Sequence, residues 1–65
     1  MRVRHFKGKE YEVIGEATHS ETGEQLIIYK ALYDDQKLWA RPKHMFWETI
    51  EREGKKVKRF TKIED

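Results

Sequence analysis

Three histidines, the single serine and a pair of adjacent aspartates have the side chains that catalysis or metal binding would need. His5, His19 and His44 stand 14 and 25 residues apart. No i, i+4 pair shares a helix face and no cysteine supplies a thiolate, so the spacing matches no usual zinc site. Ser20 follows His19 directly, and adjacent residues of a strand or turn point apart. Nothing orients the imidazole or builds an oxyanion hole, so no nucleophile and base pair forms. His19 and Ser20 are instead expected to hydrogen-bond the backbone of a turn. Asp34 and Asp35 lie in a polar stretch without the apolar surroundings that a general acid requires, and read as turn formers. The four glycines are isolated and form no phosphate cradle. The chain therefore reads as a non-enzyme with no metal and no cofactor.

Recognition chemistry is better represented. Three Phe, three Tyr and two Trp exceed what a core of this size can cover, so some rings must reach the surface. Tyr29 and Tyr33 share a strand face. Trp39 follows a tight turn that can set it beside Tyr33, and Arg41, two residues on, shares the face of Trp39. Flat apolar rings with a planar cation suit stacking a base, packing a proline-rich peptide or holding a methylated amine. The alternative is that these rings are core with their polar atoms at its rim. Arg41, beside Pro42, is expected to be fixed by a carbonyl or carboxylate of a tight turn. Trp47 opens a half-exposed strand, where a Trp marks an interface.

Charge points the same way. The 65 residues carry 14 Lys and Arg against 12 Asp and Glu, a net of +2. Residues 1–9 hold four basic and no acidic groups, residues 52–62 hold six basic and one acidic, and residues 10–51 hold four basic and nine acidic. If the terminal strands are neighbours, Arg2, Arg4, Lys7 and Lys9 converge with Lys55, Lys56, Lys58, Arg59 and Lys62 on a patch for phosphate or an acidic partner. The bland alternative is a solvated surface of mixed charge, with lysines that keep strand edges from pairing.

The elements that must position these residues are short strands in one small domain, residues 1–65. Arg4-His5-Phe6 is a first strand, and Glu10 to Thr18 a second whose alternation breaks only at Ile14. Ser20 to Gly23 is a hairpin turn. Glu24 to Tyr33 is the strongest strand and should be central, paired on both sides, with Ile27, Tyr29 and Ala31 on one face. Leu38 to Arg41 is a fourth strand that Pro42 ends, opening a helical turn through Phe46. Trp47 to Glu53 and the segment after Gly54 read as last strands. Val13, Ala31, Leu38, Met45 and Ile50 are expected in the core. Five or six strands with one helical turn describe a mainly β, SH3-like antiparallel barrel. No apolar run approaches a membrane span, and neither a signal peptide nor cysteine is present, which suits a cytoplasmic protein.

The blocks Tyr11-Glu12-Val13-Ile14-Gly15, His19-Ser20-Glu21-Thr22-Gly23-Glu24, Tyr29-x-x-Leu32-Tyr33 and Leu38-Trp39-x-Arg41-Pro42-x-x-Met45-Phe46 resemble a family of small bacterial domains of unknown function, number 1653. The resemblance covers nearly the whole chain and implies a compact β-barrel-like domain without an assigned activity or catalytic residues. It departs from the family pattern at Asp35-Gln36 and at Trp47. The function expected is a binding module contacting nucleic acid through its basic terminal strands and the aromatic patch, with Tyr33, Trp39, Arg41, Trp47, Lys55 and Lys58 as ligand-binding candidates. The alternative is a protein-interaction or homodimerisation module anchored by Trp39, Trp47 and Phe46.

Overall fold

The computed structural model of the chain describes residues 1–64. Asp65, the last residue of the expected domain, lies outside the described residues. Strands β1 (Arg2–His5), β2 (Glu10–Thr18), β3 (Gln25–Ala31) and β4 (Leu38–Pro42) lead to helix α1 (Lys43–Phe46). Strands β5 (Thr49–Arg52), β6 (Lys55–Lys58) and β7 (Phe60–Glu64) follow. An antiparallel sheet runs β4-β3-β2-β1-β7, and β5 and β6 form a separate hairpin. The fold is mainly β, but the sheet is open. Among the described residues no ladder joins β4 to β7, so the closed barrel expected from the sequence does not form. The described residues also form seven strands rather than five or six. Glu53 and Gly54, at φ 53° and 78°, make the tight turn between β5 and β6. The single residue Arg59 then turns the chain from the hairpin into the sheet.

Local chemistry explains most of the elements. The β2–β3 turn is held by His19, whose Nδ1 accepts the amides of Glu21 at 3.1 Å and Thr22 at 3.4 Å, while Gly23 adopts φ 78°. In the β2–β3 ladder Val13 faces Tyr29 and Gly15 faces Ile28, which leaves Ile14 as the extra residue of a bulge. That bulge is why Ile14 breaks the alternation and is 57% exposed. β3 is paired on both sides, and Ile27, Tyr29 and Ala31 are buried on one face. Pro42 caps α1 at φ −53° and the helical turn drives Phe46 into the core.

The core is Val3, Ile27, Tyr29, Phe46 and Phe60, with the rings of Phe46 and Phe60 stacked at 4.1 Å. Val3 and Phe60 were not anticipated there. Leu38 was, yet it is 61% exposed. It pairs with Lys30, one residue off the Tyr29↔Trp39 pair, and so points to the uncovered side of the sheet. Val13, Met45 and Ile50 are half-buried. Trp47 does not open a strand. It caps α1, its ring lies 4.7 Å from that of Phe46, and it is half-buried against the core.

Among the described residues, no helix is long and apolar enough to cross a membrane.

Candidate binding site

β1 and β7 pair antiparallel, with Arg4 opposite Thr61 and His5 opposite Phe60, so the two basic ends of the chain do become neighbours. The β5–β6 hairpin folds beside them. Between hairpin and sheet lies an open groove of about 460 Å³ lined by Arg4, His5, Phe6, Val57, Lys58, Thr61 and Ile63. Phe6, Val57 and Ile63 supply apolar surface, and Arg4 and Lys58 supply charge. The Arg52 guanidinium stands 5.0 Å from the Phe6 ring centre and the Lys7 ammonium 6.0 Å. Burial first, and then the charges of Arg59, Lys7, Arg41 and Arg52, hold the His5 imidazole below its ordinary value. Each of these four charges is positive. Two of the cations here are paired with carboxylates, Arg4 with Glu10 at 3.1 Å and Arg59 with Glu48 at 2.6 Å.

Of the basic candidates, Lys58 lines the groove, while Lys55 sits at the start of β6 opposite Arg52, outside its walls. Sequence reasoning missed Phe6 and Val57 as groove residues. The signal present was their position within the basic termini, but which side of the sheet they face depends on where the hairpin lands.

The aromatic candidates occupy a second surface. Residues directly opposite in an antiparallel pair share a face. The pairs Tyr29↔Trp39 and Ile27↔Arg41 therefore put Trp39 and Arg41 on the core face of β4. β4 is an edge strand, which leaves Trp39 44% exposed. Tyr33 does not stack on Trp39. Its ring packs edge-on against Tyr11 at 5.5 Å, and the two hydroxyls share a hydrogen bond of 2.6 Å. The Lys9 ammonium covers Tyr33 at 4.5 Å and that of Lys37 covers Trp39 at 5.1 Å.

Arg41 is not fixed as the sequence suggested. Its side chain makes no hydrogen bond or ion pair among the described residues, and its Nε is shielded from solvent without an acceptor. The clasp expected of it belongs to Arg59, whose Nε donates to the Met45 carbonyl at 3.1 Å and whose Nη2 donates to Glu48 Oε1 at 2.6 Å. Pro42 sets the turn, but Arg41 faces away from its carbonyls because strand alternation aims it at the core side.

Burial first, and then the bond to Tyr33, push the Tyr11 hydroxyl well above the ordinary phenol range. A raised value favours the folded state fully below the unfolded phenol value of about 10, and that stability is lost as pH rises through the folded value. Tyr33→Phe should make Tyr11 titrate earlier and flatten the fall of melting temperature above pH 10. An absorbance titration at alkaline pH checks this, and an unchanged titration would show that the shared hydrogen bond does not hold the Tyr11 proton.

The family model described as a protein of unknown function (DUF1653) matches residues 1–62. A crystal structure of a protein belonging to DUF1653 from Bordetella bronchiseptica superposes with a TM-score of 0.87 at 28% sequence identity. That superposition covers 95% of this chain and 82% of the other. No curated protein matches the chain. With all but its last residues matched by the family model and its fold shared with a solved member, this chain belongs to the DUF1653 family.

Proposed function

We propose that this domain is a non-enzymatic binding module that contacts single-stranded nucleic acid along its basic terminal strands. The observation that carries the reading is the groove itself, which apolar Phe6, Val57 and Ile63 line together with the cations Arg4 and Lys58. Cations for phosphate beside an aromatic surface for a base are the two parts that sequence-tolerant strand binding needs. In this reading the sheet with its hairpin beside it is an opened SH3-like arrangement.

Fluorescence titration of the whole chain with short RNA and DNA oligonucleotides tests this. Affinity should fall steeply with salt, by several log units per log unit of salt if several phosphates are engaged. Lys58→Glu should weaken binding more than Lys55→Glu, because only Lys58 lines the groove. Absence of binding at low salt would remove the nucleic-acid reading.

The second reading is a protein-interaction or homodimerisation module. It draws on the edge strand β4, where Leu38 and Trp39 are 61% and 44% exposed. Binding through those residues would be comparatively indifferent to salt.

A further inference from the structure

We propose that the free edge of β4 docks an extended segment of another protein as an added antiparallel strand, one whose two carboxylates flank an apolar residue on a single face. The inference rests on the protein-interaction reading and not on the groove, which lies toward the opposite edge of the sheet, at β1 and β7.

The backbone pattern carries the argument. The Ala31 amide donates to the Lys37 carbonyl at 3.0 Å, in register with the ladder that continues through Tyr29↔Trp39 and Ile27↔Arg41. Bonded and non-bonded positions alternate in an antiparallel pair, so Trp39 and Arg41 bond to β3, and the amides and carbonyls of Leu38 and Ala40 point outward. Both residues are exposed, and β4 ends the sheet. Pro42 also falls at an outward position, where its missing N–H costs the ladder to β3 nothing. Two donors and two acceptors at alternate positions are a template for one more strand.

Side chains state what that strand carries. Lys37, Trp39 and Arg41 alternate along one face of the edge, with the Lys37 ammonium 5.1 Å from the Trp39 ring centre. Leu38 and Ala40 make the other face apolar. The nearby cation Lys43 is paired with Glu16 at 3.1 Å, whereas neither Lys37 nor Arg41 has a carboxylate partner among the described residues. Of the Arg41 guanidinium only Nε is shut off from solvent, which leaves its terminal nitrogens open to a carboxylate. Opposite charges across such a ladder attract and like charges repel, so the complement is acidic, apolar, acidic at alternate positions. Asp34 and Asp35 in the preceding turn disfavour any further acid. A second copy of β4 fits less well. Centred on Trp39 it sets Lys37 against Arg41, and centred on Ala40 it sets Leu38 against Pro42, which has no N–H to return.

The peptide Thr-Glu-Val-Ile-Val-Glu-Thr, blocked at both ends, is the probe. In a nitrogen-15 titration of the whole chain it should shift the Leu38 and Ala40 amide signals saturably and slow their hydrogen exchange. Replacing both its Glu by Gln should weaken it ~3- to 10-fold at low salt, the effect of two exposed ion pairs, and Lys at both positions should abolish binding. N-methylation of its two valines removes the donors that meet the Leu38 and Ala40 carbonyls and keeps every charge. Loss of binding on that change separates strand addition from mere attraction between charges. Lys37→Glu, at an exposed position, should weaken the Glu peptide at least as much as the Gln change without lowering the melting temperature. Lys58→Glu should leave it unchanged. No saturable shift, or undiminished binding of the N-methylated peptide, would overturn the added strand. Equal binding of the Gln peptide would overturn the acidic pattern and leave the protein-interaction reading standing. Shifts of the Leu38 and Ala40 amides with protein concentration alone would assign the edge to a second copy and overturn the proposal.

Discussion

Phe60→Ala is expected to leave the chain largely unfolded at room temperature. Phe60 is 1% exposed, stacks on Phe46 at 4.1 Å and meets Tyr11, Tyr29 and His5 edge-on at 5.0 to 5.6 Å. Removing a buried Phe ring costs ~3–5 kcal/mol through lost burial and the cavity left behind. A domain of this length has net stability of ~3–5 kcal/mol, so the loss is comparable to the whole. No disulfide supports it, since the chain has no cysteine. Phe60→Leu, which keeps most of the volume, should cost ~1–2 kcal/mol and remain folded. Urea unfolding followed by near-ultraviolet circular dichroism distinguishes the two. A cooperative transition for Phe60→Ala near the wild-type midpoint would show that the aromatic cluster is not where stability resides.

The second large effect is expected at Arg59. Its side chain bonds the Met45 carbonyl and Glu48, its backbone N–H donates to the Glu48 carbonyl at 3.0 Å, and its own carbonyl accepts the Phe6 amide at 3.0 Å. One residue thus ties the end of α1, the start of β7 and the end of β1. Arg59→Met keeps the aliphatic stem and removes both side-chain bonds. The bond to the carbonyl contributes ~1.5–2 kcal/mol as a charge-assisted interaction. The ion pair adds up to ~1 kcal/mol, reduced by solvent because the Glu48 side chain is 37% exposed. The variant should therefore lose about 1.5–3 kcal/mol, against at most ~1 kcal/mol for Glu48→Gln. Unfolding midpoints of the single and double variants test the division. Equal losses for Arg59→Met and Glu48→Gln would mean that the bond to Met45 contributes nothing.

What could be read from residue order was what neighbouring residues decide among themselves. β2 spans Glu10–Thr18 as expected because alternation and flanking turn residues are properties of a single stretch. The turn held by His19 and the helical turn after Pro42 follow for the same reason, and β3 is paired on both sides as expected, although β2 and not β3 is the middle strand of the sheet. Family membership was legible too, since its motifs are local blocks. The groove was half legible. Cationic termini announced a patch, but the side of the sheet on which Phe6, Val57 and Lys58 would meet depended on where the hairpin folded.

Tertiary structure alone decided which residues are buried and which cations are paired. Leu38 and Trp39 are adjacent on one strand, and the pairing register sent Leu38 outward and Trp39 toward the core. Arg41 and Arg59 are the same residue type, each close to the helical turn in space or in sequence, yet Arg59 is clasped while the Arg41 side chain has no hydrogen-bond partner among the described residues. Backbone preferences act over a few residues and so leave their mark on the sequence. A guanidinium finds its acceptor across several ångströms of folded space, and chain separation does not encode that distance.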